Sequence, residues 1–362
     1  MSIEALARPE IVAMKPYSSA RKEAPGKGIL LNANESPWSL LAETKSESGL
    51  NRYPEPQPAK LISRLARLYD VPPETVLVTR GSDEGIDLLT RVFCRAGQDA
   101  ILQCPPTFGM YRIAAQTQGA DVVSVARDPD NGFSNNEAAI ADALRDDPRI
   151  KLVFLTSPNN PTGDVIKEDF LHELLHLAKD RALIVVDEAY AEFCQQPSTT
   201  GLMSEYENLV VLRTMSKAWA AAGLRCGTVL AQPVVISLLR RVIAPYPLPS
   251  PVVSLAQSML EQDMLDKQSE LMSQIRHNKQ VLLAALRQRP FIRELIAGEA
   301  NFVLIKIDRP AELLTFCAQR NLILRGFPSD PVLCDYIRIS VGSEQDIAAL
   351  AQALDQWENH HE

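Results

Sequence analysis

Lys217 sits in the stretch Thr214–Gly227 (TMSKAWAAAGLRCG), directly after the apolar run NLVVLR, with Thr214 and Ser216 before it and Arg225 beyond a small-residue spacer. An amine in that setting suits attack on a carbonyl beside a bound phosphate, because burial or a neighbouring cation lowers a lysine pKa and frees the nucleophile. A lone loop lysine is ordinarily just solvated, so its meaning depends on its company. Three more polar clusters follow short apolar runs: Gly81-Ser82-Asp83-Glu84-Gly85, Ser157-Pro158-Asn159-Asn160-Pro161-Thr162-Gly163 and Asp187-Glu188-Ala189-Tyr190. Singly, they read as a helix cap, a turn and a carboxylate closing a strand. In a doubly wound sheet, ligands bind outside the carboxyl ends of the strands, so four clusters on one edge make one site. Asp187 follows Ile184-Val185-Val186, which predicts burial, and a buried carboxylate needs a partner. An aromatic cation with a phosphate tail satisfies all four.

The elements that must position these clusters alternate. Helical periodicity over Lys60–Tyr69 precedes the strand TVLVTRG and a helix opening on Ser82 as N-cap. The strands AILQCPP, ADVVSVA, KLVFLTSP, ALIVVDEAY and NLVVLRT follow, interleaved with the helices TFGMYRIAAQTQG, NEAAIADALRDD and KEDFLHELLHLAKD. Strands apolar on both faces predict a mostly parallel sheet covered by helices on both sides. The fold class is therefore α/β, with a large domain over residues 42–244 behind an N-terminal arm and pocket segment, residues 1–41. The proline-rich connector Pro245–Pro251 predicts a change of domain. Beyond it, helices to about Arg289 and the strands NFVLIKI, LILRGF and YIRISVG predict a smaller α+β domain over residues 245–362.

The 362 residues carry a net charge of −8, which argues against nucleic acid as the main partner. Six scattered cysteines without a C-x-x-C read as free thiols in a reducing compartment. No signal peptide or spanning run is evident, so the expectation is a cytoplasmic protein without a membrane partner.

The ordered set L-N-A-N-E, N-R-Y-P, R-G-S-D-E-G-I, C-P-P-T-F-G-M-Y, S-P-N-N-P-T-G, D-E-A-Y, S-K and G-L-R-C-G resembles the fold-type I, pyridoxal-phosphate-dependent aminotransferases of the aspartate aminotransferase superfamily. The resemblance spans nearly the whole chain and implies a role for each matching residue. Lys217 would anchor pyridoxal 5'-phosphate covalently, Asp187 would pair with its pyridine nitrogen, and Asn160 and Tyr190 would bond the ring oxygen. Phe108 would stack on the ring, at a position where many members carry tyrosine. The backbone N–H groups of Ser82 and Asp83, with Thr214, Ser216 and Arg225, would hold the phosphate, the Asp83 side chain turning away. Tyr53 would reach the phosphate of a second subunit's cofactor, making the active unit a homodimer. Arg338 and Arg325 would bind an acidic group of the substrate, with Tyr17 and Asn34 completing the pocket. The implied reaction is amino transfer from a small amine phosphate, histidinol phosphate, to 2-oxoglutarate; aromatic amino acids and threonine phosphate are substrates of similar proteins.

One motif points elsewhere. His172-Glu173-Leu174-Leu175-His176 matches H-E-x-x-H, which on a helix can hold zinc and serve a protease. A third ligand is not evident, and the segment also fits an amphipathic helix with Leu171, Leu174, Leu175 and Ala178 inward. The reading is accordingly metal-free. No G-x-S-x-G accompanies the five histidines, so serine–histidine chemistry finds no support.

Overall fold

A computed structural model describes residues 2–16, 32–39 and 50–361. Seven strands form the main sheet: β1 (Val76–Thr79), β2 (Ala100–Gln103), β3 (Asp121–Ser124), β4 (Ile150–Thr156), β5 (Leu183–Asp187), β6 (Leu209–Thr214) and β7 (Gly227–Leu230), in the order β1-β7-β6-β5-β4-β2-β3. Only β7 runs against its neighbours β1 and β6; the pairs β2–β3, β2–β4, β4–β5 and β5–β6 are parallel.

The both-face apolar pattern of these strands is used as anticipated. Along β4 and β5, Leu152, Phe154, Leu183 and Val185 enter one core with the helix Ser82–Phe93. Val153, Leu155, Ile184 and Val186 enter the other, with the helices Ala59–Leu68 and Glu168–Ala178. Each such buried side chain stabilises the fold by roughly 1.5–3 kcal/mol. The alternation follows from the two-residue period of a strand. Consequently the last residue of each parallel strand is delivered to the same sheet edge.

The second sheet is antiparallel, in the order β10-β11-β9-β8, from β8 (Ile292–Ile296), β9 (Phe302–Ile307), β10 (Arg325–Gly326) and β11 (Tyr336–Ser340). Its core contains Leu282, Leu286, Val303, Ile305, Ile337, Leu354 and Trp357. The helix Gln262–Arg287 joins the two bodies, giving Met272 to the large core and Leu282, Leu283 and Leu286 to the small one. The Glu299 N–H donates to the Gly163 carbonyl at 2.7 Å, and Lys279 Nζ donates to the carbonyls of Gly298 (2.7 Å) and Ala300 (2.6 Å), pinning the junction beside the S-P-N-N loop.

One local expectation is corrected. The N-cap before Glu84 is Gly81 (φ 78°), with Ser82 the first helical residue and no side chain capping it. Glu84 reaches back instead to the Arg80 N–H (2.6 Å) and its guanidinium, tying the entry turn. The H-E-x-x-H helix is amphipathic, but its imidazoles are not free to converge on an ion. His172 Nδ1 (2.8 Å) and His176 Nε2 (3.2 Å) both bond the Tyr206 hydroxyl. Among the described residues, no three histidine, cysteine or acidic side chains group as metal ligands, and no helix is long and apolar enough to cross a membrane.

Candidate active site

β4, β5 and β6 end on Thr156, Asp187 and Thr214, so the clusters after them meet at one edge. The register pairs Thr156 with Asp187, and β7 enters from the same edge with Gly227 opposite both Thr79 and Thr214.

Around Arg225 the chain gathers a cradle of donors. Its backbone is left-handed (φ 54°), and Nη1 donates to Ser216 Oγ (3.3 Å) and to the Ala222 carbonyl (3.1 Å). Thr214 Oγ1 donates to Ser216 Oγ at 2.9 Å and accepts from the Ser216 N–H at 3.2 Å. The first turn of the helix Ser82–Phe93 forms the opposite wall, so close that a Cβ on Gly227 would lie 2.6 Å from the Ser82 nitrogen and one on Gly81 would lie 2.7 Å from Arg225 Nη2. Uncapped N–H groups at a helix start, hydroxyls and a guanidinium are the donor set of a phosphate site. Contrary to the expectation for its side chain, Asp83 points into this cluster, its Oδ2 3.2 Å from Arg225 Nη2. A carboxylate there is the natural counter-charge to an arginine that otherwise meets only neutral groups among the described residues.

Gly227→Ala is expected to lower stability by about 1–3 kcal/mol, as overpacking against backbone does, and to weaken phosphate binding at the cradle. Urea unfolding and phosphate-dependent stabilisation measure the two; an unchanged unfolding midpoint would show that the walls part easily.

Asp187 is 2% exposed. Burial raises its carboxyl to about 6, with Asp83 and Glu188 pushing the same way and bonds from the Tyr111 hydroxyl (2.7 Å) and the Ala189 N–H (3.1 Å) opposing. Such a group accepts a cationic partner or holds a proton for it. Lys217 Nζ lies 5.5 Å from the Tyr190 ring centre. Although the residue is open to solvent in this chain, the crowding protein holds its amine below the ordinary lysine range, Arg338 and Arg225 adding repulsion while Asp83 and Asp187 oppose. The lowered pKa enlarges the neutral, nucleophilic fraction.

From the second sheet comes Arg338, whose Nη1 donates to Asn160 Oδ1; Asn160 Nδ2 in turn donates to the Tyr190 hydroxyl at 3.3 Å. Burial pushes the Tyr190 phenol up to about 12 despite Arg338. Arg338 stands directly across from Arg325 in the β10–β11 register, and its Nε is buried without a hydrogen-bond partner among the described residues. Burial lowers its guanidinium, as does repulsion from Arg325, while Tyr190 opposes. Two arginines on paired positions of neighbouring strands are a donor set whose chemistry suits a dianion.

Phe108 is half-buried and meets Tyr111 edge-on at 5.8 Å. Tyr53 is 49% exposed and stacks on Tyr246 at 4.5 Å; its N–H is held at 2.7 Å by Glu35, next to Asn34, which is exposed with φ 54°. Tyr17 lies outside the described residues. The sequence reading missed two supports. Tyr111 bonds Asp187 from behind, and Arg213, 6% exposed, pairs with Glu188 (2.6 Å) and Glu192 (2.8 Å) to fix the loop after β5. An arginine inside the apolar run LVVLRT was the available signal for the second, since a charge on a buried strand must be paired.

A pyridine ring with an aldehyde and a phosphate fits this donor set: the ring-oxygen donors follow β4 and β5, the carboxylate ends β5, and the amine and the phosphate cradle follow β6. The family model for class I and II aminotransferases matches residues 27–354. A histidinol-phosphate aminotransferase of Cronobacter sakazakii is 43% identical over 354 residues, covering 98% of this chain and 97% of that protein. Among solved structures, the histidinol-phosphate aminotransferase of Clostridium acetobutylicum superposes with a TM-score of 0.78 at 22% identity, covering 86% of this chain and 92% of the other. That of Sinorhizobium meliloti, solved in complex with pyridoxal-5'-phosphate, has a TM-score of 0.76 at 20% identity, covering 86% and 84%. The structural likenesses speak for the fold, and the near-full-length sequence match for the kinship: the chain belongs to the class I and II aminotransferases, in the family of the histidinol-phosphate aminotransferases.

Proposed function

We propose that this chain transfers the amino group of histidinol phosphate to 2-oxoglutarate, a step of histidine biosynthesis, using pyridoxal phosphate anchored on Lys217. The observation that carries the reading is the convergence, at one sheet edge, of an amine of lowered pKa, a buried carboxylate and a phosphate cradle, with Arg338 of the second sheet bonded to Asn160 beside them. The naming of the full-length Cronobacter relative supports the substrate, and the ligand of the Sinorhizobium structure supports the cofactor.

Pyridoxal phosphate, when bound, supplies an electron sink for the pair left behind when the carbon bearing the substrate amine loses its proton. The chain's residues do the rest. Asp187 would hold a proton at the ring nitrogen, Asn160 and Tyr190 would donate to the ring oxygen, and Phe108 would cover one ring face. Ser82, Asp83, Thr214, Ser216 and Arg225 would take the cofactor phosphate, with the Asp83 carboxylate giving up Arg225. Lys217, released by the incoming amine, would carry the proton from the substrate carbon. Arg338 and Arg325 would bind the substrate phosphate, beside Asn34 and Tyr17. Running the same steps in reverse on 2-oxoglutarate gives ping-pong kinetics.

The half-exposed Tyr53, on a proline-stiffened loop, suits a contact with a second subunit's cofactor, so we take the working unit as a homodimer. The division into an arm, a large domain and a small domain at residues 42 and 245 is kept with it. The free cysteines fit a cytoplasmic protein. An amine-donor screen with 2-oxoglutarate, including histidinol phosphate, phenylalanine and threonine phosphate, tests the reading. Histidinol phosphate is expected to give the highest kcat/KM; a higher value for phenylalanine, or decarboxylation of threonine phosphate, would overturn the substrate.

A further inference from the structure

Behind Asp187 runs a chain of neutral groups. The Tyr111 hydroxyl lies 2.7 Å from Asp187 Oδ2 and 2.7 Å from Thr156 Oγ1. Thr156 Oγ1 is 3.1 Å from Thr107 Oγ1, which is 2.9 Å from Asn159 Oδ1. Tyr111 and Asn159 are 0% exposed and Thr156 is 2% exposed. The far end has a fixed sense. Asn159 Nδ2 donates to the Pro106 carbonyl (3.0 Å) and to the Thr162 hydroxyl (2.7 Å), so the oxygen facing Thr107 can only accept.

Counting protons along this chain gives a result that distances alone do not. Thr107 has one proton and must give it to Asn159. Thr156 must then donate to Thr107, and Tyr111 to Thr156. The remaining contact, between Tyr111 and Asp187, is a hydrogen bond only if the carboxyl supplies the proton. Ionised Asp187 therefore leaves three hydroxyl protons for four contacts. In that state the two middle hydroxyls turn round: Tyr111 donates to the carboxylate, Thr156 donates to Tyr111, and the Thr156 and Thr107 oxygens face each other without a proton. The longest contact in the chain, 3.1 Å, is the one given up.

We infer that Tyr111 and Thr156 form a reversible hydroxyl relay, which points away from Asp187 while the carboxyl keeps its proton and turns round to bond it as a carboxylate once solvent or a ring nitrogen has taken that proton. The second half rests on the pyridoxal-phosphate reading above. In that exchange the carboxyl O–H bond breaks, an N–H bond forms on the ring, and no electrons are transferred. The other groups acting on Asp187 are Asp83 and Glu188, which favour the neutral form, Lys217, which favours the carboxylate, and Tyr190, itself raised by Asp187. Tyr111, Thr156 and Thr107 act through Asp187 and are positioning residues.

The test is a pH titration of the protonated-carboxyl infrared band in the full-length protein without cofactor, the band being assigned by its loss in Asp187→Asn. Tyr111→Phe removes the donor to the carboxylate and is expected to raise the midpoint. Thr107→Val, which does not touch Asp187, removes the acceptor that draws the Thr156 proton away and is expected to lower it. Each shift should be about tenfold in proton affinity, the scale of one hydrogen bond to a charged group. Thr107→Ser, which keeps the hydroxyl, should restore the original midpoint. Opposite signs are what packing damage alone does not produce; shifts of the same sign, no shift with Thr107→Val, or no acid band removed by Asp187→Asn would overturn the relay. Pyridoxal phosphate added to the unsubstituted protein below that midpoint should erase the band, and its persistence alongside bound cofactor would overturn the reversal. Failure of the cofactor to bind would instead refute the cofactor reading and leave the titration standing.

Discussion

Lys217→Ala is expected to lower kcat by about 10⁴-fold, the upper range for loss of a positioned acid–base group, and to abolish the visible absorbance of lysine-bound pyridoxal phosphate. Both follow from the double role proposed for this one side chain, covalent anchor and proton carrier. The substitution should leave the fold intact, because the lysine side chain is open to solvent and fills no core. Its surroundings set the size of the effect: desolvation first, then Arg338 and Arg225, lower the amine's pKa, and no second amine lies among the residues that perturb it. Absorbance spectra with single-turnover rates decide the matter. A mutant that keeps the band would remove Lys217 from the role.

The second large effect concerns the two arginines. Histidinol phosphate is expected to exceed histidinol in kcat/KM by roughly 10²–10⁴-fold, since each charged hydrogen bond contributes about 1.5–3 kcal/mol. Arg338→Ala should remove most of that preference. Arg338 also bonds Asn160, so the mutant will lose some activity on either amine. The ratio between the two amines cancels that shared loss and isolates recognition of the phosphate. Arg325, exposed on the edge strand, should account for a smaller part. If the unsubstituted protein uses the two amines equally, or Arg338→Ala leaves the ratio unchanged, the paired arginines serve some other anion.

Much of this arrangement is legible in the chain because it is local. Apolar runs such as ALIVVD and NLVVLRT specify buried strands, and the polar residues after them fall at the strand ends by continuity alone. The strands that escaped notice lack that signature. β7 has only four residues beginning with Gly227, and β8 carries Arg293 and Glu294 on a half-buried edge. Helix capping escaped for a related reason: Ser82 has a capping side chain, yet Gly81 is the residue whose backbone can take φ 78° against Arg225. The H-E-x-x-H spacing was correctly placed on an exposed helix face, but only the position of Tyr206, 34 residues from His172, decides what the imidazoles bond.

By itself the sequence determined the strand ends, the identity of the lysine, carboxylate and arginines placed on them, and the both-face burial of the main sheet, because each depends on side-chain periodicity within one element. The tertiary structure alone decided which groups meet: Tyr111 with Asp187 across 76 positions, Asp83 with Arg225 across 142, and Asn160 with Arg338 across 178. Those pairings turn on how two sheets and their helices pack, and burial by distant elements also shifts the charges on Asp187, Tyr190, Lys217 and Arg338. A pKa and a hydrogen-bond direction are properties of the assembled surroundings, so no window of sequence contains them.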